Sequence, residues 1–133
     1  MFDKLGESVA YLTDDYHNTI YLWDGHPVAY LDQDRDIYGI NGQHLGWFID
    51  GILYNHSGER IGFTAGTCLA PLSKELTKSK KYPLDQLRPK WTAPPLPKLS
   101  FQLAEQHLED FLRKGQVKLF QSGIKTTMPV QTP

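Results

Sequence analysis

Along residues 1–66 the apolar positions fall in short runs, each broken after a few residues by turn formers, a pattern of strands and not of helices. The clearest instance is "IYLWDGHPVAYLD", residues 20–32, in which Asp24-Gly25 stands between two runs rich in aromatic and branched side chains and predicts a β-hairpin. The same text recurs. Phe2, Tyr21, Tyr38 and Tyr54 are each followed four positions later by a glycine: Gly6, Gly25, Gly42 and Gly58. Three residues beyond each glycine comes a branched aliphatic residue (Val9, Val28, Leu45, Ile61), then a small one (Ala10, Ala29, Gly46, Gly62), then an aromatic (Tyr11, Tyr30, Trp47, Phe63). Four copies of one hairpin account for the front half of the chain.

A two-residue turn at Asp24-Gly25 sets Tyr21 opposite Val28. The same count sets Phe2 opposite Val9, Tyr38 opposite Leu45 and Tyr54 opposite Ile61, so each unit gains an aromatic-to-branched pair. Period two then places Tyr21, Val28 and Tyr30 on one face and Ile20, Ala29 and Leu31 on the other. Both faces are apolar, and a lone hairpin is marginal in water, so the units must bury their faces against one another. The column of small residues predicts a point where backbones from different units crowd, around a central axis.

On "YLWDGHPVAYLD", "YGINGQHLGWFID" and "LYNHSGERIGFTAG" the chain resembles the four-fold β-flower family of bacterial proteins, over residues 1–66. The resemblance implies a mainly β fold of four hairpins packed around a pseudo-four-fold axis, and it carries no activity or catalytic residue with it. Leu5-Gly6 departs from the Asp-Gly, Asn-Gly and Ser-Gly turns of the other units and is the weak copy. Other aromatic and glycine hairpin repeats form open solenoids, which stays the alternative; four copies without caps favour closure.

The second half reads differently. Residues 67–98 hold six of the nine prolines and the cluster "KSKK", a Pro-rich basic arm that should run extended over a surface. Either a partner recognises it, or it packs on its own hairpins with Trp91 as anchor and the acidic front half attracting Lys90 and Lys98. Ser100 is an apt N-cap for one amphipathic helix through Lys114, with Phe101, Ala104, Leu108, Phe111 and Leu112 on a stripe and Gly115 as a natural C′ residue. The helix covers an open face of the hairpins or forms an interface, so residues 99–133 pack on the β domain or on a partner. Residues 117–127, around Ser122-Gly123, predict a short terminal hairpin.

Charge separates the halves: residues 1–66 carry ten acids and three bases, residues 67–133 five acids and eleven bases. Such halves attract each other within the chain or leave the basic half to seek an external anion, of which the first is favoured, and the acidic half argues against nucleic acid as a partner despite the basic residues 74–90. There is no membrane-spanning run and no secretory leader pattern, so the expectation is a soluble, cytoplasmic, bacterial protein. The single cysteine, Cys68, permits no internal disulfide and reads as a small buried residue.

Candidate chemistry is sparse. The five histidines occupy different columns of the repeat, so symmetry supplies no ring of metal ligands, and no cofactor motif is present. Asp32 and Asp34 in "LDQDRDIYG" read as a solvated connection. The aromatic residues are the better lead: Trp23, Tyr30, Tyr38 and Trp47, with His26 and His44, would line a ligand or peptide pocket if the units close up, and Trp91 would add a contact on the arm. The function expected is a non-catalytic binding or protein-interaction module, or self-association through arm and helix. The alternative is a small hydrolase or metal-assisted enzyme using a His and Asp pair.

Overall fold

The computed structural model describes residues 1–15, 18–74, 76, 78–81 and 89–117. Its elements are β1 (Ala10–Leu12), β2 (Thr19–Leu22), β3 (Pro27–Asp32), β4 (Asp36–Gly39), β5 (His44–Ile49), β6 (Ile52–Tyr54), β7 (Arg60–Phe63) and one short helix, α1 (Leu108–Arg113). The strands pair antiparallel in sequence order. Phe2 bridges to Ser8 on one side and to Phe63 on the other. The Phe2 N–H donates to the Phe63 carbonyl at 2.8 Å, and the Phe63 N–H donates back at 2.9 Å. The sheet therefore curls until its first residues meet its last strand, which an open solenoid cannot do. Closure of this kind removes the unpaired edge that a sheet would otherwise present.

Four turns share one geometry. In each, the glycine N–H donates to the carbonyl three residues before it: Gly6 to Asp3, Gly25 to Leu22, Gly42 to Gly39 and Gly58 to Asn55, all between 2.9 and 3.0 Å. A tight turn followed by a left-handed glycine inserts one extra residue into the hairpin. Leu5-Gly6 makes the same turn as the others.

That extra residue corrects the two-residue-turn register. Tyr21 stands opposite Pro27, Tyr38 opposite His44 and Tyr54 opposite Arg60, each beside a shift in the ladder, and Phe2 stands opposite Ser8. Val28 consequently leaves the tyrosine face and joins Ala29 and Leu31 in the inner core. The aromatic columns meet instead at the seams between hairpins. Tyr11 pairs with Tyr21, Tyr30 with Tyr38 and Trp47 with Tyr54, and Phe63 with Phe2 at the closure. The rings of Tyr11 and Tyr21, and those of Tyr30 and Tyr38, stack with centroids 5.8 Å apart. Cross-strand aromatic pairs of this kind are each worth about 0.2–1 kcal/mol, and they tie each hairpin to the next.

The inner face is filled by the second half of the chain. Ala104, Leu108, Phe111 and Leu112 belong to the same buried cluster as Ala10, Ile20, Val28, Ile37, Leu45 and Leu53. This gives the small column its reason. A Cβ on Gly62 would lie 2.9 Å from Leu108, and one on Gly46 would lie 3.1 Å from the Phe111 ring and 2.1 Å from the Tyr54 carbonyl oxygen. The room is kept partly for a neighbouring backbone, as the sequence implies, and partly for α1.

The helix is much shorter than the apolar stripe suggests. It begins after His107, not at Ser100, because residues 102–104 are taken up by the backbone of Arg60. The Arg60 N–H donates to the Gln102 carbonyl and the Ala104 N–H donates to the Arg60 carbonyl, satisfying polar groups that would otherwise lack partners. Phe101 lies outside the stripe and is 87 % exposed. Gly115 is no left-handed cap either: a Cβ there would meet the Gly39 Cα and the Val28 carbonyl, each at 2.4 Å. Close approach, not positive φ, calls for glycine at that position.

Between the sheet and α1 the described residues of 67–99 form no strand or helix, and they follow the hairpins around the outside. The Ser73 N–H donates to the Gly6 carbonyl, Ser79 to Trp23, Trp91 to Gly42 and Ser100 to Gly58. The four turns are thus met in chain order. Basic side chains lie on outer aromatic rings, Lys78 over Tyr11 at 4.6 Å and Lys81 over Tyr21 at 5.0 Å, while Lys90 reaches Asp32 at 3.4 Å. Trp91 is held by its backbone; its side chain is 59 % exposed, so the indole is not a buried anchor. The terminal hairpin expected at 117–127 lies outside the described residues apart from Val117, which packs on Tyr30, Tyr38 and Ile40. No helix among the described residues is long and apolar enough to cross a membrane.

Candidate functional site

The aromatic residues singled out in the sequence do not converge on one pocket; they divide among three seams. Trp23 packs with Tyr11 and Tyr21, its ring centroid 4.9 Å from that of Tyr11 and its indole N–H donating to Ser8 Oγ at 3.2 Å. His26 lies nearby, its Nδ1 2.8 Å from Asp24 Oδ1. On the second seam Tyr30 donates to the Pro89 carbonyl at 2.7 Å, and Tyr38 lies edge-on to His44 at 5.0 Å. On the third seam Trp47 packs against His44 at 4.9 Å and against His56 at 5.5 Å. Trp91 stands apart, over Gly42. Burial pushes the Tyr38 hydroxyl above its ordinary value, with Asp36 and Asp32 adding to the rise and Lys90 opposing it.

Across the third seam runs a hydrogen-bonded chain that the column alignment does not reveal. His44 is almost fully buried, with Nε2 3.1 Å from Asp36 Oδ1 and Nδ1 3.0 Å from Nε2 of His56. An ionised carboxylate only accepts, so Nε2 of His44 carries a proton; in the neutral ring Nδ1 then accepts from His56. His56 is exposed, and burial of part of its ring, followed by the nearness of His44 and Lys114, holds it below the usual histidine range. It thus presents a neutral imidazole at the surface, oriented through His44 by Asp36. The signal for this meeting was the Asp50-Gly51 turn: continuing the Trp47 to Tyr54 register past it brings position 44 opposite position 57, next to His56.

A larger feature lies elsewhere. Between the first two hairpin turns and α1 is a cleft of about 590 Å³, lined by the buried side chains of Leu22, Trp23 and Leu108, by Val9, and by Asp3, Glu7, Asp24, Glu109 and Asp110 with Arg113. Buried apolar groups make its floor and carboxylates its rim. Arg113 ties the helix to the second turn, reaching Glu109 at 2.9 Å and Asp24 at 3.4 Å. Burial raises the Asp24 carboxyl, but hydrogen bonds from His26, the nearby imidazole and Arg113 together outweigh it and leave the group below its ordinary value. Of the residues expected to form a site, only Trp23 lines this cleft. Among the described residues no group of three His, Cys, Asp or Glu side chains is placed to hold a metal ion.

A family model described as "4-fold beta flower protein" matches residues 1–112. The match runs well beyond the hairpins, through the arm and most of α1. No curated protein and no solved structure matches the chain.

Proposed function

The chain belongs to the 4-fold beta flower protein family, and from that premise we propose that it is a non-catalytic binding module whose ligand seat is the cleft between its first two hairpin turns and α1. The observation that carries this reading is the composition of the cleft: an indole and two buried leucines beneath five carboxylates, of which one arginine offsets part. An aromatic face together with surrounding negative charge is what a cationic group with an apolar body requires. The volume suits a small organic cation or the side chain of a basic peptide.

Other surfaces serve this purpose less well. The second seam is occupied by the protein's own arm, through the Tyr30 bond to Pro89. Hydrolysis through a His and Asp pair finds its pair in His44 and Asp36. Yet both ring nitrogens of His44 are engaged, and among the described residues no hydroxyl or thiol is hydrogen-bonded to either histidine.

The reading is tested by titrating the protein with spermidine while following the indole N–H resonances. The Trp23 signal is expected to move, and Glu7→Gln with Asp110→Asn to weaken binding about tenfold, the ~1.4 kcal/mol that two partly screened charges can supply. An equal response to pentanoate, or no response at millimolar spermidine, defeats it.

A further inference from the structure

On a different part of the molecule, where the N-terminal turn, the fourth hairpin and the start of the arm meet, lies a slot of about 250 Å³. Phe63, Leu69, Phe101 and Leu103 supply its apolar lining, Lys4 and Arg60 its charge, and Thr67 and Cys68 complete it. Among the described residues no carboxylate lines it. Lys4 Nζ donates to the Ala104 carbonyl at 3.0 Å and Arg60 Nε to the Ser100 carbonyl at 3.2 Å. Those single bonds leave most of the donors of both groups unused, and neither cation forms an ion pair with a described residue. The Arg60 guanidinium lies over the Phe101 ring, 4.5 Å from its centroid.

Around the slot, apolar side chains stand in water: Leu69 is fully exposed, Phe101 87 % and Leu103 47 % exposed. Contiguous exposed apolar surface beside uncompensated positive charge is costly to leave bare, and it is complementary to a molecule with a greasy tail and an anionic head. We infer that this slot binds a small amphiphilic carboxylate, its tail among Phe63, Leu69 and Leu103 and its head between Lys4 and Arg60. Size supports a short chain: a cavity of about 150 Å³ takes benzene, so this one takes a chain of roughly eight carbons or a ring with a short acidic arm. Arginine is suited to the head, because its planar fork matches a carboxylate with two parallel hydrogen bonds.

Cys68 provides the readout. It is the chain's single cysteine, half-buried, lining the slot, with its thiol directed to the Asp3 carbonyl at 3.6 Å. Octanoate at about four times its Kd is expected to slow labelling of the thiol by a disulfide reagent about fivefold, since the occupied fraction is shielded. In the Lys4→Gln, Arg60→Gln double variant the same concentration should give almost no protection, while octanol at matched concentration should protect the natural protein far less than octanoate. Should the double variant not fold, Lys4→Gln alone, which removes one half-exposed amine, must still reduce the protection. The inference is overturned by octanoate leaving the labelling rate unchanged, by octanol protecting equally well, or by undiminished protection in a folded variant.

Discussion

Replacing Phe111 by alanine is expected to lower the free energy of unfolding by about 3–5 kcal/mol, a third or more of the total for many domains of this size. The ring is 2 % exposed and shares its cluster with side chains from both ends of the sheet. It also faces Gly46, whose missing side chain makes the space for it. Truncation leaves a void that the surrounding closed sheet cannot collapse to fill. α1 has six residues, too few to persist unaided, so its structure depends on this burial and the sheet's inner face depends on the helix. Urea denaturation followed by circular dichroism gives the number. A loss below about 1 kcal/mol, the size of a typical surface or near-surface change, would show that the helix is an ornament on a self-sufficient sheet.

A glycine comparison probes how the arm is held. Gly58 has φ +79°, and a Cβ there would lie 2.2 Å from the Lys98 carbonyl oxygen. Gly58→Ala therefore incurs left-handed strain of about 1–2 kcal/mol. It must also displace the arm, losing the Ser100 to Gly58 hydrogen bond, worth about 1 kcal/mol more. Gly42 has the same handedness, but the nearest described atoms to a Cβ there belong to the side chains of Trp91 and Pro89, at 3.0 and 3.2 Å. Gly42→Ala should accordingly suffer the strain alone. Gly58→Ala is expected to cost the more of the two by about 1 kcal/mol and to speed proteolysis within the arm, whereas Gly42→Ala leaves the cleavage rate near that of the natural chain. Equal costs with unchanged proteolysis would mean that the arm rests on the turns without being held by them.

The turn glycines and the two aromatic columns were legible because backbone handedness and strand propensity are local properties of residues such as Gly25 and Tyr21. Their pairing was not. A single inserted residue at each turn, invisible in the text "WDGH", moves Val28 to the inner face and turns pairs within a hairpin into pairs between hairpins. The burial of Leu108, Phe111 and Leu112 was readable from their spacing, but the start of the helix was not, since nothing local announces that the backbone of Arg60 will claim residues 102–104.

Site residues followed the same division. Trp23 reaches the cleft, while Asp3, Glu7 and Asp110 join it from distant parts of the chain and have no shared signature. His56 was missed because the alignment of hairpins hid the Asp50-Gly51 turn, which brings neighbouring units together, and Asp36 because it reaches His44 diagonally across its own hairpin, where the inserted residue shifts the register.

The central claim is that four hairpins close on themselves through aromatic seams, with Phe2 and Phe63 making the last seam. Amide hydrogen exchange read by NMR tests it directly. If the ring is closed, the N–H groups of Phe2 and Phe63, which donate to each other's carbonyls, exchange as slowly as those of Leu31 and Tyr38 in the middle of the sheet, in the regime of global unfolding. Exchange of Phe2 and Phe63 at the rate of a frayed edge, with the middle strands still protected, would contradict closure.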